Sequence, residues 1–271
     1  MKTAKIFFSI GLIFGYLTTN VGAEKAQSIF GKNMSLHLGI KAWRATYETQ
    51  TFKTDDYIRA GGVESTSNMF GPSFRVQYKK YYIGGSYYFG DGFNGTAVDY
   101  YINQKAQHIL GYKFEKKDMD ILMGYYVNPE ISVFIGYKRI ETNGKFQWYT
   151  RTASTGYNET IEGPVFGMTL NLPLAYSGLT FFSTLGYATL NGKADYILKW
   201  TDADGNITED KTSSSFDSLG PAIEFGFHCL LKDLPYLRFY VGYKYQEYKN
   251  PDIDDYSSKL YGLNISSYFI F

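Results

Sequence analysis

The chain has one cysteine, three histidines and seven prolines in 271 residues. A single Cys229 excludes an internal disulfide, and three histidines leave little material for a histidine-built metal or catalytic centre. After the first twenty-odd residues no run of about 18 apolar residues occurs, which excludes a helical membrane protein. Charge of one sign is also lacking: 27 Lys and Arg face 26 Asp and Glu, so net charge gives no support for a nucleic-acid partner.

What is abundant is Tyr (27), Phe (21) and Gly (28), in a chain whose mean hydropathy is slightly negative. The first residues form a unit of their own. Lys2 and Lys5 precede an apolar run from Ile6 to Leu17, and Val21-Gly22-Ala23 supplies small residues before Glu24. This is the pattern of a cleavable secretory signal over residues 1–23, leaving 24–271 as one domain with a formal charge of −1. No Cys follows the apolar run, which argues against a lipid anchor.

The far end is the most informative. In 260–271, Tyr261, Leu263, Ile265, Phe269 and Phe271 share one strand face, interrupted only by Ser267. Gly262, Asn264, Ser266 and Tyr268 share the other. A strand with one apolar and one polar face that ends on Phe resembles the closing strand of Gram-negative outer-membrane β-barrels. The resemblance implies an all-β, antiparallel transmembrane barrel in the cell outer membrane. It also implies that Phe271 is an assembly signal read by the barrel-assembly machinery, with the lipid bilayer and lipopolysaccharide as surroundings.

Alternating segments predict ten strands, near 34–47, 69–78, 81–90, 118–127, 131–141, 163–171, 179–189, 219–230, 236–246 and 260–271. Twelve stays open if residues 104–117 add a further hairpin instead of lengthening the fourth strand, and eight if long strands are divided too finely. Short turns fall on one side and long polar connections on the other, the asymmetry of periplasmic and extracellular rims. Gly71-Pro72, Gly163-Pro164 and Gly220-Pro221 are expected where strands begin or bulge. Asn143-Gly144, Asn191-Gly192 and Asp204-Gly205 are expected as turns or bulges in hairpins that project past the membrane.

Alternation then sorts side chains. Leu36, Leu38, Ile40, Phe74, Val133, Ile135, Phe225, Phe227, Phe239 and Val241 are expected to face lipid, with Cys229. Tyr78, Tyr81, Tyr87, Tyr125, Tyr137, Tyr187 and Tyr243 are expected at the interfaces. Lys41, Arg75, Lys79, Lys138, Arg238 and Lys244 are expected in the lumen with Asp120, Glu224 and His228, six basic groups against two acids. Glu224 is expected near Arg238. Such a surplus requires partners, water, an aqueous path or an anion.

Function then divides in two. One reading is a structural or surface-interaction barrel acting through long outer connections. The alternative is a narrow, weakly anion-selective channel lined by Lys41, Arg75, Lys138, Glu224, His228, Arg238 and Lys244. Ten strands make the barrel similar to the outer-membrane aspartyl-type proteases, which carry an acidic pair and an Asp-x-His pair at the outer rim. None of His37, His108 and His228 has Asp two residues before it, and none is followed by the x-Ser of the lipid hydrolases. The expectation is no enzymatic activity, no cofactor, no metal site and an unidentified outer ligand. Asp202-Ala-Asp204-Gly205-Asn206 lacks the spacing of a calcium loop. The acidic stretch 252–255 and the loop aromatics Trp148, Tyr149 and Trp200 complete the candidates for outer contacts.

Overall fold

The structure, a computed structural model, describes residues 33–49, 57–60, 63–101, 106–148, 153–174, 178–201, 205–231, 234–251 and 257–271. The signal segment 1–23, Tyr149, Asp202 to Asp204 and the acidic stretch 252–255 lie outside these residues. So do the side chains of Trp148 and His108.

Ten long strands close into a ring: β1 (Met34–Thr49), β3 (Glu64–Tyr78), β4 (Tyr81–Tyr101), β5 (Ala106–Tyr126), β6 (Ile131–Trp148), β7 (Ala153–Pro173), β8 (Leu179–Thr201), β9 (Ile207–Leu231), β10 (Leu234–Lys249) and β11 (Ser257–Ile270). Each pairs antiparallel with its neighbours, and β11 returns to β1 to complete the barrel. A four-residue strand, β2 (Tyr57–Ala60), adds to the outer end of β4. The seam is sealed at its end by Leu36 and Phe271, which exchange two backbone hydrogen bonds of 3.0 and 2.8 Å.

The outer surface explains the aromatic and apolar surplus. Phe74, Ile83, Ile121, Met123, Val133, Ile135, Phe166, Leu185, Phe225, Phe227, Val241, Leu263 and Ile265 are exposed in a continuous belt. In water such a belt would be a large unfavourable patch, whereas in lipid it is the surface a barrel requires. Tyr78, Tyr81 and Tyr125 edge it on the side of the short turns. Tyr87, Tyr137, Tyr187 and Tyr243 edge it on the other.

Beyond the second edge the strands continue. From the level of Tyr187 and Pro221, β8 and β9 stay paired for fourteen more residues, to Thr201 and Ile207. At about 3.3 Å per residue this is roughly 45 Å of strand. The long polar connections expected from sequence are thus mostly paired strand. Residues 106–117 lengthen β5, which settles the count at ten barrel strands.

Two motif readings change. Asn143-Gly144 and Asn191-Gly192 are not turns: they sit within β6 and β8, paired with Asn158-Tyr157 and Asp217-Phe216. Their glycines make room for rings, since a Cβ on Gly144 would come within 2.2 Å of Phe114 and one on Gly192 within 2.3 Å of Phe216. The three Gly-Pro pairs also lie inside strands. At each, pairing lapses for two residues on one side, between Phe70 and Ser73, between Glu162 and Val165, and between Leu219 and Ala222. Proline brings no N–H to the ladder there. The adjoining glycine lets a neighbouring carbonyl approach where a Cβ would stand 1.5 to 2.4 Å from it.

Candidate functional site: the occluded lumen

The inward faces form three levels. The lowest, nearest the short turns, carries His37, Arg75, Tyr126, Tyr240 and Tyr268. Arg75 Cζ lies over the Tyr82 ring, 3.9 Å from its centre, and Nη2 donates to the Tyr126 hydroxyl. Tyr240 contacts His228 (4.9 Å between ring centres), Tyr268 (5.1 Å) and Phe182 (5.5 Å). A cavity of about 240 Å³ occupies this level and is bounded above by Lys138, Lys244 and Asp120.

The middle level is ionic. Lys138, 1% exposed, donates to Asp118 Oδ1 at 2.5 Å and to Asp120 Oδ1 at 2.9 Å. Asp118, fully buried, also accepts from Gln246 Nε2 at 3.1 Å and lies 3.5 Å from Lys244. Lys244 stands 3.7 Å from Asp120 and over the rings of Trp43 and Tyr88, 4.7 and 4.8 Å from their centres. Two cations and two carboxylates therefore neutralise one another. Isolated charges would be costly at such burial, and the shared hydrogen bonds offset that cost.

Above them lies an apolar level. Trp43, Met69, Tyr88 and Phe93 are fully buried and join Tyr47, Tyr112, Phe114, Phe146 and Tyr157 in one cluster. Their rings meet edge to face, Trp43 with Tyr88 at 5.6 Å and Phe114 with Phe146 at 5.1 Å. Phe93 reaches the cluster through a bulge. The β4 register shifts between Gly90 and Phe93, which swings an odd-numbered residue inward. Lys116 enters this level from β5, donates to Thr142 at 2.7 Å and covers the Tyr47 ring at 3.4 Å. It lies beyond the lipid belt, and burial lowers its pKa to about 8.

The sequence-derived lumen residues are distributed across these levels. Lys138 and Lys244 meet in the ionic level. Lys41, Arg75 and Glu224 border the cavity. His228 touches Tyr240. Glu224 does not pair with Arg238: it stands opposite Lys244 in register and accepts from Asn264 Nδ2 at 2.7 Å, while Arg238 lies six residues nearer the short turns. Lys79 is not lumenal, because it occupies the tight turn between β3 and β4 with φ 54°. Sequence reading overlooked Lys116 and Glu159 as inward groups. Asp118 is an inward group as well, since the parity of Asp120 points all of residues 112, 114, 116 and 118 inward.

His108, in the outer part of β5, is in register with Asp99 of β4, which is itself in register with Arg59 of β2. Among the described residues no group of three His, Cys, Asp or Glu is placed to hold a metal ion. Cys229 stands on the lipid-facing parity of β9, opposite Phe239.

No family model and no curated protein matches the chain. Among solved structures, the outer membrane protease OmpT from Escherichia coli overlays with a TM-score of 0.56 at 10% identity, over 89% of this chain and 96% of that one. Neisserial surface protein A (TM-score 0.34, 11% identity, 86% and 96% covered) overlays too loosely to add to the fold assignment. So does the attachment invasion locus protein of Yersinia pestis (0.29, 14%, 89% and 100%). Ring closure, ten strands, a lipid-facing belt with aromatic edges and this overlay agree: the chain is an outer-membrane β-barrel, resident in that membrane.

Proposed function

We propose that the chain is a non-conducting, non-enzymatic barrel that displays its outer hairpins for surface contacts. The observation that carries this is the lumen. A charge-neutral Lys138–Asp118–Asp120–Lys244 layer is overlain by fully buried Trp43, Tyr88 and Phe93, and no path of exposed inward side chains joins the two rims among the described residues. A hydrated pore requires a continuous polar lining, and an aromatic cap of this depth interrupts one. The seat of interaction is then the part that projects. On the β8–β9 hairpin, Tyr196, Leu198 and Ile207 are exposed far beyond the lipid belt, among ion pairs such as Lys199–Glu209 at 2.7 Å.

The likeness to a protease is one of fold, at 10% identity. The lumenal carboxylates are buried beneath the cap and unavailable to a peptide, which supports the non-enzymatic reading.

The test is planar-bilayer recording of refolded 24–271, paired with a peptide-cleavage assay on cells displaying the protein and an attachment assay on coated surfaces. Silence, no cleavage, and attachment that falls when the β8–β9 tip is shortened are expected. Steady single-channel openings would replace this proposal with the channel reading. Cleavage lost in His108→Ala would replace it with an enzyme at the Asp99–His108 register position.

A further inference from the structure

The hollow lower level holds positive charge that the ionic level does not neutralise. Lys138 and Lys244 are matched by Asp118 and Asp120. Below them, Lys41 and Arg75 border the cavity with one carboxylate, Glu224, which is already engaged by Asn264. Arg238 adds a third cation toward the short-turn rim. None of these three forms an ion pair among the described residues. Arg75 Nε and Arg238 Nε are buried without a hydrogen-bond partner, while Arg75 contacts the Tyr82 ring and donates from Nη2 to Tyr126.

We infer that this chamber is a binding site for a small oxyanion, a phosphate or a carboxylate, entered from the periplasmic side. The Arg75 guanidinium, positioned by Tyr82 and Tyr126 but without an ion pair among the described residues, suits the oxygens of a carboxylate or a phosphate, because its N–H donors converge on two acceptor atoms. Low-dielectric walls strengthen the attraction, and Lys41 and Arg75 against Glu224 leave one unmatched positive charge on the cavity wall, with Arg238 adding to the field from outside it. About 240 Å³ suits a ligand of a few heavy atoms rather than a lipid. Access follows from topology: the cavity lies on the side of the short turns, and the ionic and aromatic levels seal it above. Ser132, Thr169 and Asn171 on its wall add neutral hydrogen-bonding groups.

The test is isothermal titration of the refolded barrel in nonionic detergent with inorganic phosphate and, separately, succinate, against chloride at equal ionic strength. Saturable binding of one of the two is expected, and the tighter one names the class. Lys41→Met and Arg75→Met should each weaken it at least tenfold, since each removes a charge-assisted contact. Lys117→Met, on the outer face, should leave it unchanged. Arg75→Lys, which keeps the charge and loses the fork, covers the case in which Arg75→Met does not fold. No saturable binding of either anion by the wild type overturns the inference, as does binding that survives loss of both Lys41 and Arg75. Both outcomes are independent of whether the barrel conducts.

Discussion

Asp118→Ala tests the ionic level most directly. The carboxylate is fully buried and takes contacts from Lys138 at 2.5 Å, Gln246 at 3.1 Å and Lys244 at 3.5 Å. Truncation leaves two buried ammonium groups on Asp120, at 2.9 and 3.7 Å. Breaking one partner of a buried ionic cluster costs about 3–5 kcal/mol. For a chain of this length that corresponds to a fall in Tm of roughly 6–20 °C. The assay is the temperature at which the folded, fast-migrating gel band is lost, with urea unfolding followed by tryptophan fluorescence. Lys117→Ala is the reference, because its ion pair with Glu141 is part-exposed on the outer face and is worth about 0–1 kcal/mol. The double variant Asp118→Asn/Lys138→Met should recover part of the loss, since it removes a charge of each sign. An Asp118→Ala barrel within about 1 kcal/mol of Lys117→Ala would refute the claim that this layer is a buried ion-pair cluster.

Gly144→Val should cost about 1–3 kcal/mol in urea unfolding by driving Phe114 aside, whereas Gly156→Ala, whose Cβ would meet nothing closer than 3.7 Å, should be near neutral. Lys116 is depressed to about 8 by burial, so the unfolded chain binds the extra proton between that pH and the ordinary lysine value. Stability should therefore rise from pH 8 to 10, by on the order of 2 kcal/mol, and the rise should vanish in Lys116→Met. Deleting Phe271 removes the two bonds that seal the β1–β11 seam and should lower outer-membrane levels far more than deleting one residue at a hairpin tip. Equal levels on an immunoblot of outer-membrane fractions would contradict it.

Within the lipid belt, parity alone was enough to place residues. Leu36, Phe74, Val133 and Phe225 point outward, and Arg75, Lys138 and Lys244 point inward, because lipid demands an apolar exterior on every second residue. Past the outer tyrosines that demand ends and the pattern inverts. On β5 the outward residues change from Met119, Ile121 and Met123 to Lys113, Glu115 and Lys117, while the inward ones change from Asp118 and Asp120 to Tyr112 and Phe114. Polar residues on the outside resemble loop in the sequence, which shortens the predicted strands and hides the aromatic cap. Phe93 was further concealed by the bulge, since a one-residue insertion moves every later side chain to the other face. The Glu224–Arg238 pairing failed for a simpler reason: hairpin register places Lys244 opposite Glu224.

The seam has a kinetic consequence. His37 is paired with Ile270, roughly 230 residues away, and neither β1 nor β11 has its second neighbour until the other arrives. Closure must therefore wait for the last strand to be released from synthesis. Until then β1 keeps one edge without a partner, the kind of surface that pairs readily with another chain.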